Sequence, residues 1–195
     1  MEKNIVLHPV MKEVMFTESQ LDNKCIELAK TISDSYHKKN INNIVMLGLL
    51  KGCVPFMANL MKYMSVGVTT EYMVVASYGN SDKSSTTPQI LLDINQNIEN
   101  KDVLIVEDII DSGYTLEFIS RHLKNRGAKS IKIVTMFDKE ERRQIAVNVD
   151  WVGFKISNEF VVGYGLDYAQ KFRNLPALIS VDIEKFNKYD WSKEE

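Results

Sequence analysis

Cysteine is scarce in this 195-residue chain: Cys25 and Cys53 are the only two, and neither a secretory signal nor a long apolar run accompanies them. That combination argues against an exported or membrane-spanning protein and for a reduced, cytoplasmic setting. Both cysteines fall in apolar stretches, where a thiol behaves as a small hydrophobe, so core filling is the plain reading of each. An excess of one charge is missing as well, since 24 basic and 26 acidic residues spread along the chain give a net charge of -2. No field of one sign advertises nucleic acid or anionic lipid, so neither kind of partner is expected, and an anionic substrate would have to be captured locally. Internal repeats, low-complexity tracts and linkers are also absent. What remains, 45% hydrophobic and 26% charged, is the composition of an ordinary globular protein, and its length suits a single domain over 1–195 with one core.

The elements present follow an alternating order. Thr17 and Gln20 form a capping box, and Leu21, Cys25, Leu28, Ile32 and Tyr36 recur at helical spacing behind it. Ile44 to Leu50 is a nearly unbroken apolar run, which predicts a strand buried on both faces in a parallel sheet, ended by a turn at Lys51 and Gly52. Pro55 suits the first turn of a helix with Phe56, Leu60 and Met64 inward, and Thr69 to Ala76 resumes strand character. A second unit follows, with a strand over Val103 to Val106, a helix over Thr115 to Arg126 and a strand over Ile131 to Phe137. Leu116, Ile119 and Leu123 face inward on that helix, Gly127 closes it, and Arg121, Lys124 and Arg126 suit its negative end. Strand alternating with helix predicts an α/β fold with a mostly parallel sheet. Between the units, Ser77 to Pro88 is a polar stretch with Tyr78 as its one large apolar member, and a loop of that length predicts a lid or a surface insertion.

Val103 to Leu116, VLIVEDIIDSGYTL, carries the most chemistry. An apolar strand runs into Glu107 and Asp108, then into a turn of Asp111, Ser112, Gly113, Tyr114 and Thr115, then into a helix. Ligands of open α/β sheets bind at this carboxyl end of the strands. The turn can hold a phosphate through helix N-terminal amides, and the acids can accept sugar hydroxyls or help hold Mg²⁺. Three carboxylates in so short a span exceed what a capped helix alone requires. The arrangement describes a site for a phosphorylated sugar.

The same stretch resembles the phosphoribosyl pyrophosphate (PRPP) signature of type I phosphoribosyltransferases, in the form found in the hypoxanthine-guanine phosphoribosyltransferases. Leu50, Lys51 and Gly52 correspond to that family's pyrophosphate loop, Ser77 and Tyr78 to a dipeptide of its catalytic lid, and Lys139 to its base-contacting lysine. Phe160 to Asp167, with Arg173 beyond, looks like its hood segment. Tyr114 departs from a common Lys and Cys53 from a common Ser, and neither change removes a catalytic group.

The resemblance implies the type I phosphoribosyltransferase fold, with a lid near 77–88 and a small hood that includes about 155–195. It implies transfer of the phosphoribosyl group from PRPP to a 6-oxopurine in a homodimer or homotetramer that uses Mg²⁺. Asp111 would be the general base, and Glu107, Asp108 and Asp111 to Thr115 would hold PRPP. Leu50, Lys51, Gly52 and Arg173 would meet pyrophosphate, and a cis Leu50–Lys51 peptide is implied. Lys139, Phe160, Val161, Ile109, Leu166 and Asp167 would surround the base, and Glu107, Asp108 and Asp167 would serve the metal. Taken singly, several of these residues have blander readings: Phe160 a core aromatic, Asp167 a turn carboxylate, Lys51 and Arg173 solvated bases. Two other functions use part of the pattern. A PRPP-sensing regulator would bind nucleic acid, yet no basic stripe is evident; a Mg²⁺-dependent phosphatase would use the acids but leave Lys51 and the Phe160 segment without a role.

Overall fold

The computed structural model describes residues 7–78 and 87–193. A strand, β1 (Met11–Phe16), precedes the first helix, α1 (Glu18–His37). The capping box is formed: Thr17 Oγ1 accepts from the Gln20 amide at 3.4 Å, and Gln20 Oε1 accepts from the Thr17 amide at 2.8 Å. Next come β2 (Asn43–Leu50), α2 (Val54–Tyr63), β3 (Gly67–Tyr78), β4 (Thr87–Leu92), β5 (Asp102–Ile110), α3 (Tyr114–Asn125), β6 (Ser130–Asp138) and β7 (Trp151–Lys155). Pro55 occupies the first turn of α2, while Met64, expected within that helix, is its half-buried terminating residue. Gly127 closes α3 with φ +83°, as its own amide donates to the Lys124 carbonyl and that of Ala128 to Leu123.

Six strands form the main sheet in the order β4-β3-β2-β5-β6-β7, all parallel except β4, which runs antiparallel to β3. Alternation along the central strands sends Val45, Leu47, Val103 and Ile105 to the α3 face and Met46, Leu104 and Val106 to the face covered by α1 and α2. Burial on both faces explains why these strands read as continuous apolar runs. Cys25 and Cys53 are buried thiols, and burial pushes them up to about 11 and about 12.

Two expectations change. Ser77 and Tyr78 end β3 and pair with Pro88 and Thr87, so both ends of the expected loop are a hairpin. The rest of that segment, and the side chains of Ser77 and Tyr78, lie outside the described residues. The strand expected over Val103 to Val106 continues to Ile110 because pairing with β6 persists to Ile110 and Asp138. Glu107, Asp108 and Ile109 therefore sit within the strand.

A second sheet, absent from the sequence reading as strands, has the order β1-β9-β8, with β8 (Val161–Val162) and β9 (Leu178–Val181) antiparallel. A short helix, α4 (Ile183–Lys188), follows it, capped by Asp182. Val10, Val162, Ala177, Ile179 and Phe186 form its core, and Trp191 packs on Phe186 at 4.6 Å between ring centroids. This layer, drawn from segments near both ends of the chain, is called the hood below. No helix among the described residues is long and apolar enough to cross a membrane.

Candidate active site

Strand β2 leads into α2 and its neighbour β5 into α3, on opposite faces of the sheet. The crevice outside their carboxyl ends is the topological switch point where doubly wound sheets bind ligands. The Leu50–Lys51 peptide there is cis, as the resemblance implied. Gly52 has no room for a side chain, because a Cβ would overlap Asp108 Oδ2; the Gly52 carbonyl in turn lies where a Cβ on Gly165 would sit. The loop after β2 is thus clamped between the acids of β5 and the hood. Lys51 is exposed, and its ammonium donates to Gln170 Oε1 at 3.3 Å.

At the end of β5, Glu107 Oε2 is buried without a hydrogen-bond partner. Burial first, and the neighbouring Asp108 second, raise the Glu107 carboxyl well above its ordinary range. Burial likewise pushes Asp108 up to about 6, although the Ile109 amide donates to its Oδ1 at 2.8 Å. Two desolvated carboxyls side by side suit sugar hydroxyls or a cation that would restore their lost partners. No ready cage of three or more His, Cys, Asp or Glu side chains exists among the described residues. Mg²⁺ needs none, because it retains several waters and takes one or two carboxylates together with substrate oxygens. The residues present fit that ion.

The turn after β5 is fixed from behind, where the Ser112 carbonyl accepts from the amides of Gln144 (3.0 Å) and Ile145 (3.1 Å). Gly113 has φ +92°, and a Cβ there would meet the Ile145 carbonyl at 2.9 Å. Gly113 caps α3 without a side-chain bond, so the amides of Tyr114, Thr115 and Leu116 in the first turn have no intrahelical acceptor. These donors and the positive end of α3 make an anion cradle. The Tyr114 side chain is exposed and takes no part in the turn's backbone bonds.

Beside the cradle lies a cavity of about 320 Å³, within the range of small-molecule sites. All six residues expected around the base line it: Ile109, Lys139, Phe160, Val161, Leu166 and Asp167; Asp108, Asp111 and Arg173 join them. Lys139 is buried, donates to the Glu159 carbonyl at 2.7 Å and stands 6.0 Å from the Phe160 ring centroid. Burial pulls its ammonium below the ordinary lysine value, with Asp111 opposing and Arg142 assisting. Phe160 is 41% exposed, which overturns the core reading of that residue. Tyr168 packs edge-on against it at 4.8 Å and leaves it at the cavity wall.

Asp167 stands apart from the Glu107 and Asp108 pair in its bonding. Its Oδ1 pairs with Arg173 Nη2 at 2.7 Å and its Oδ2 accepts from the Gln170 amide at 2.8 Å. Leu50, Lys51, Gly52, Glu107 and the Ser112 to Thr115 turn border the crevice without lining that cavity. Sequence reasoning missed Arg142, whose Nε lies 2.9 Å from Asp111 Oδ1 inside that cavity. It also missed Arg143, which pairs with Asp138 beneath Gly113. The only signal was a basic pair three residues after Lys139, which reads as a solvated charge run.

An anion cradle and a small-molecule-sized cavity meeting at the switch point of a doubly wound sheet define a ligand-binding α/β protein. Comparison with known proteins narrows this: residues 17–169 match the family model described as the phosphoribosyl transferase domain, and the chain belongs to that family. It is 42% identical over 183 residues to a hypoxanthine-guanine phosphoribosyltransferase of Streptococcus pyogenes, covering 94% of this chain and 100% of the relative. It is 44% identical over 173 residues, 89% of the chain, to the bifunctional protein TilS/HprT of Listeria innocua, and spans only 26% of that longer relative. The crystal structure of a hypoxanthine phosphoribosyltransferase from Staphylococcus aureus superposes with a TM-score of 0.87 at 40% identity, over 95% of this chain and 99% of that one.

Proposed function

We propose that the protein transfers the 5-phosphoribosyl group of PRPP to hypoxanthine, guanine or both, giving the nucleoside monophosphate and pyrophosphate in purine salvage. The observation that carries this reading is the convergence of Asp111, Lys139 and Phe160 on one cavity beside the α3 anion cradle. The whole chain, 1–195, acts as one unit in it, with Ser77 and Tyr78 as lid residues.

In this reading the amides and hydroxyls of Ser112 to Thr115 hold the 5-phosphate, and Glu107 and Asp108 accept the ribose hydroxyls. Leu50, Lys51, Gly52 and Arg173 meet the pyrophosphate, Arg173 through a planar guanidinium suited to its oxygens. Bound Mg²⁺, held directly or through water by Glu107, Asp108 and Asp167, supplies neutralisation of the leaving polyanion. The base slides between Ile109 and Phe160. Lys139 spends one proton on Glu159 and has others for the purine 6-oxo group, a donor that opposes the amino group of adenine. Asp111 faces N7 and takes or shares its proton as the glycosidic bond forms. Arg142 must yield its hold on Asp111 as the base arrives, and backbone groups near Val161, Leu166 and Asp167 meet the far edge of the ring. A cytoplasmic location and assembly as a homodimer or homotetramer complete the proposal.

The test is to incubate the pure protein with PRPP, Mg²⁺ and each of hypoxanthine, guanine, xanthine and adenine, and to measure nucleotide and pyrophosphate together. Base-dependent release of both with a 6-oxopurine is expected. Silence with every oxopurine, or phosphate released without a base, would overturn it.

A further inference from the structure

Gly163, Tyr164 and Gly165 adopt three successive positive φ angles, 91°, 49° and 97°. Glycine reaches that region freely, whereas a tyrosine holds it only against a steric cost, so surrounding structure must impose it. Backbone bonds supply part of the hold: the Tyr164 amide donates to Leu175 and the Gly165 amide to Arg173. The side chain supplies the rest. It is buried, and its hydroxyl receives a hydrogen bond from Asn59 Nδ2 on α2 at 3.0 Å and lies 3.3 Å from Cys25 Sγ on α1. Asn59 Nδ2 also donates to Asp22 Oδ1 on α1 at 3.0 Å. One residue of the hood loop is therefore tied to both helices beneath the main sheet.

The opposite side of the loop faces the candidate site. Gly165 rests on the Gly52 carbonyl, Arg173 Nη1 donates to the Gly165 carbonyl at 2.7 Å, and Leu166 and Asp167 line the base cavity. We infer that Tyr164 is a positioning residue whose hydroxyl, pinned by Asn59 and Cys25, sets the height of Gly165 to Asp167 over Gly52 and so the fit of the base. Packing alone does not call for a hydroxyl here, because phenylalanine would fill the same volume. The role rests on the reading of the cavity as a purine site. The 5-phosphate contacts of the β5–α3 turn are outside the reach of this tether, whereas Gly52, Arg173 and Asp167, read above as serving pyrophosphate and the metal, lie within it.

Steady-state kinetics of the full chain carrying Tyr164→Phe test the inference, with Tyr36→Phe as control. Tyr36 is another buried tyrosine on α1, and its hydroxyl has no partner in the structure. Tyr164→Phe should raise KM for the purine roughly ten- to a hundredfold and leave the Kd for ribose 5-phosphate, which carries no pyrophosphate and probes the β5–α3 turn, within about twofold by calorimetry. Tyr36→Phe should leave both unchanged. Asn59→Ala should reproduce the split, and the double variant should be no worse than the poorer single one, because the two groups act through one bond. Asn59 is only partly buried, so its variant carries the test should Tyr164→Phe fail to fold. A drop in Tm with unchanged KM for the base, an equal rise in the Kd for ribose 5-phosphate, or additive effects in the double variant would overturn the inference. A wild-type chain inactive with every base would instead sink the reading of the site, and the tether's role with it.

Discussion

The six-stranded body and the three-stranded hood are assembled from chain at very different separations. Four of the five neighbour pairs in the body are consecutive in the chain, and two of them, β2 with β3 and β5 with β6, are joined by a single α-helix. The hood pairs Met11 with Val181, across nearly the whole chain. Each contributes one half of the proposed reaction: the body offers the phosphate cradle and the acids, while the hood offers Phe160, Leu166 and Asp167 to the base. Variants that disable one half and spare the other are the sharpest way to test this division.

The largest effect is expected at the seam. Asp111→Asn should lower kcat by about 10² to 10⁴ while PRPP binding, measured by calorimetry, persists. Phe186→Ala removes a buried ring from the hood core and should cost about 3–5 kcal/mol there. Hydrogen exchange should show the loosening confined to the hood, and loss of protection throughout the body would break the comparison. Asp108→Asn addresses the body alone. The folded state raises Asp108 from 3.8 to about 6, so it binds the proton more tightly than the unfolded chain, and wild-type stability falls as pH rises through that window. The ligand-free variant should therefore gain on the order of 2–3 kcal/mol at pH 7 and nothing at pH 3.5, as read from denaturant melts. Lys139→Met should raise KM for the base roughly ten- to a hundredfold with PRPP affinity intact, since one charge-assisted hydrogen bond is lost. Smallest of all, Tyr114→Ala should leave kcat and both KM values within about twofold, because an exposed side chain whose amide serves the cradle can be trimmed.

The body was legible in the sequence because its signals are local. The Thr17 capping box, the apolar run of β2, the inward stripe of α3 and the acids of β5 each lie within one short window. The hood was not. Strand β8 has two residues and β9 four, too short for alternation to separate strand from any other apolar run, and what defines them is pairing across the chain. Phe160 shows the same limit in one residue: by type it belongs in a core, and only the fold leaves it at a cavity wall. Glu107 and Asp108 were read as site acids, but their place inside a strand depended on the β6 partner. Arg142 was hidden because a one-turn helix after Lys139 aims it back at Asp111, and no periodicity encodes that reach.

The pairing of β1 with β9 also sets an order on biosynthesis. A ribosome delivers every strand of the body before it delivers residues 178–181, so a nascent chain can complete its anion cradle while the sheet that borders the neighbouring cavity still lacks its middle strand. On the proposed reading, discrimination among purines would follow the grip on phosphate in the order of assembly.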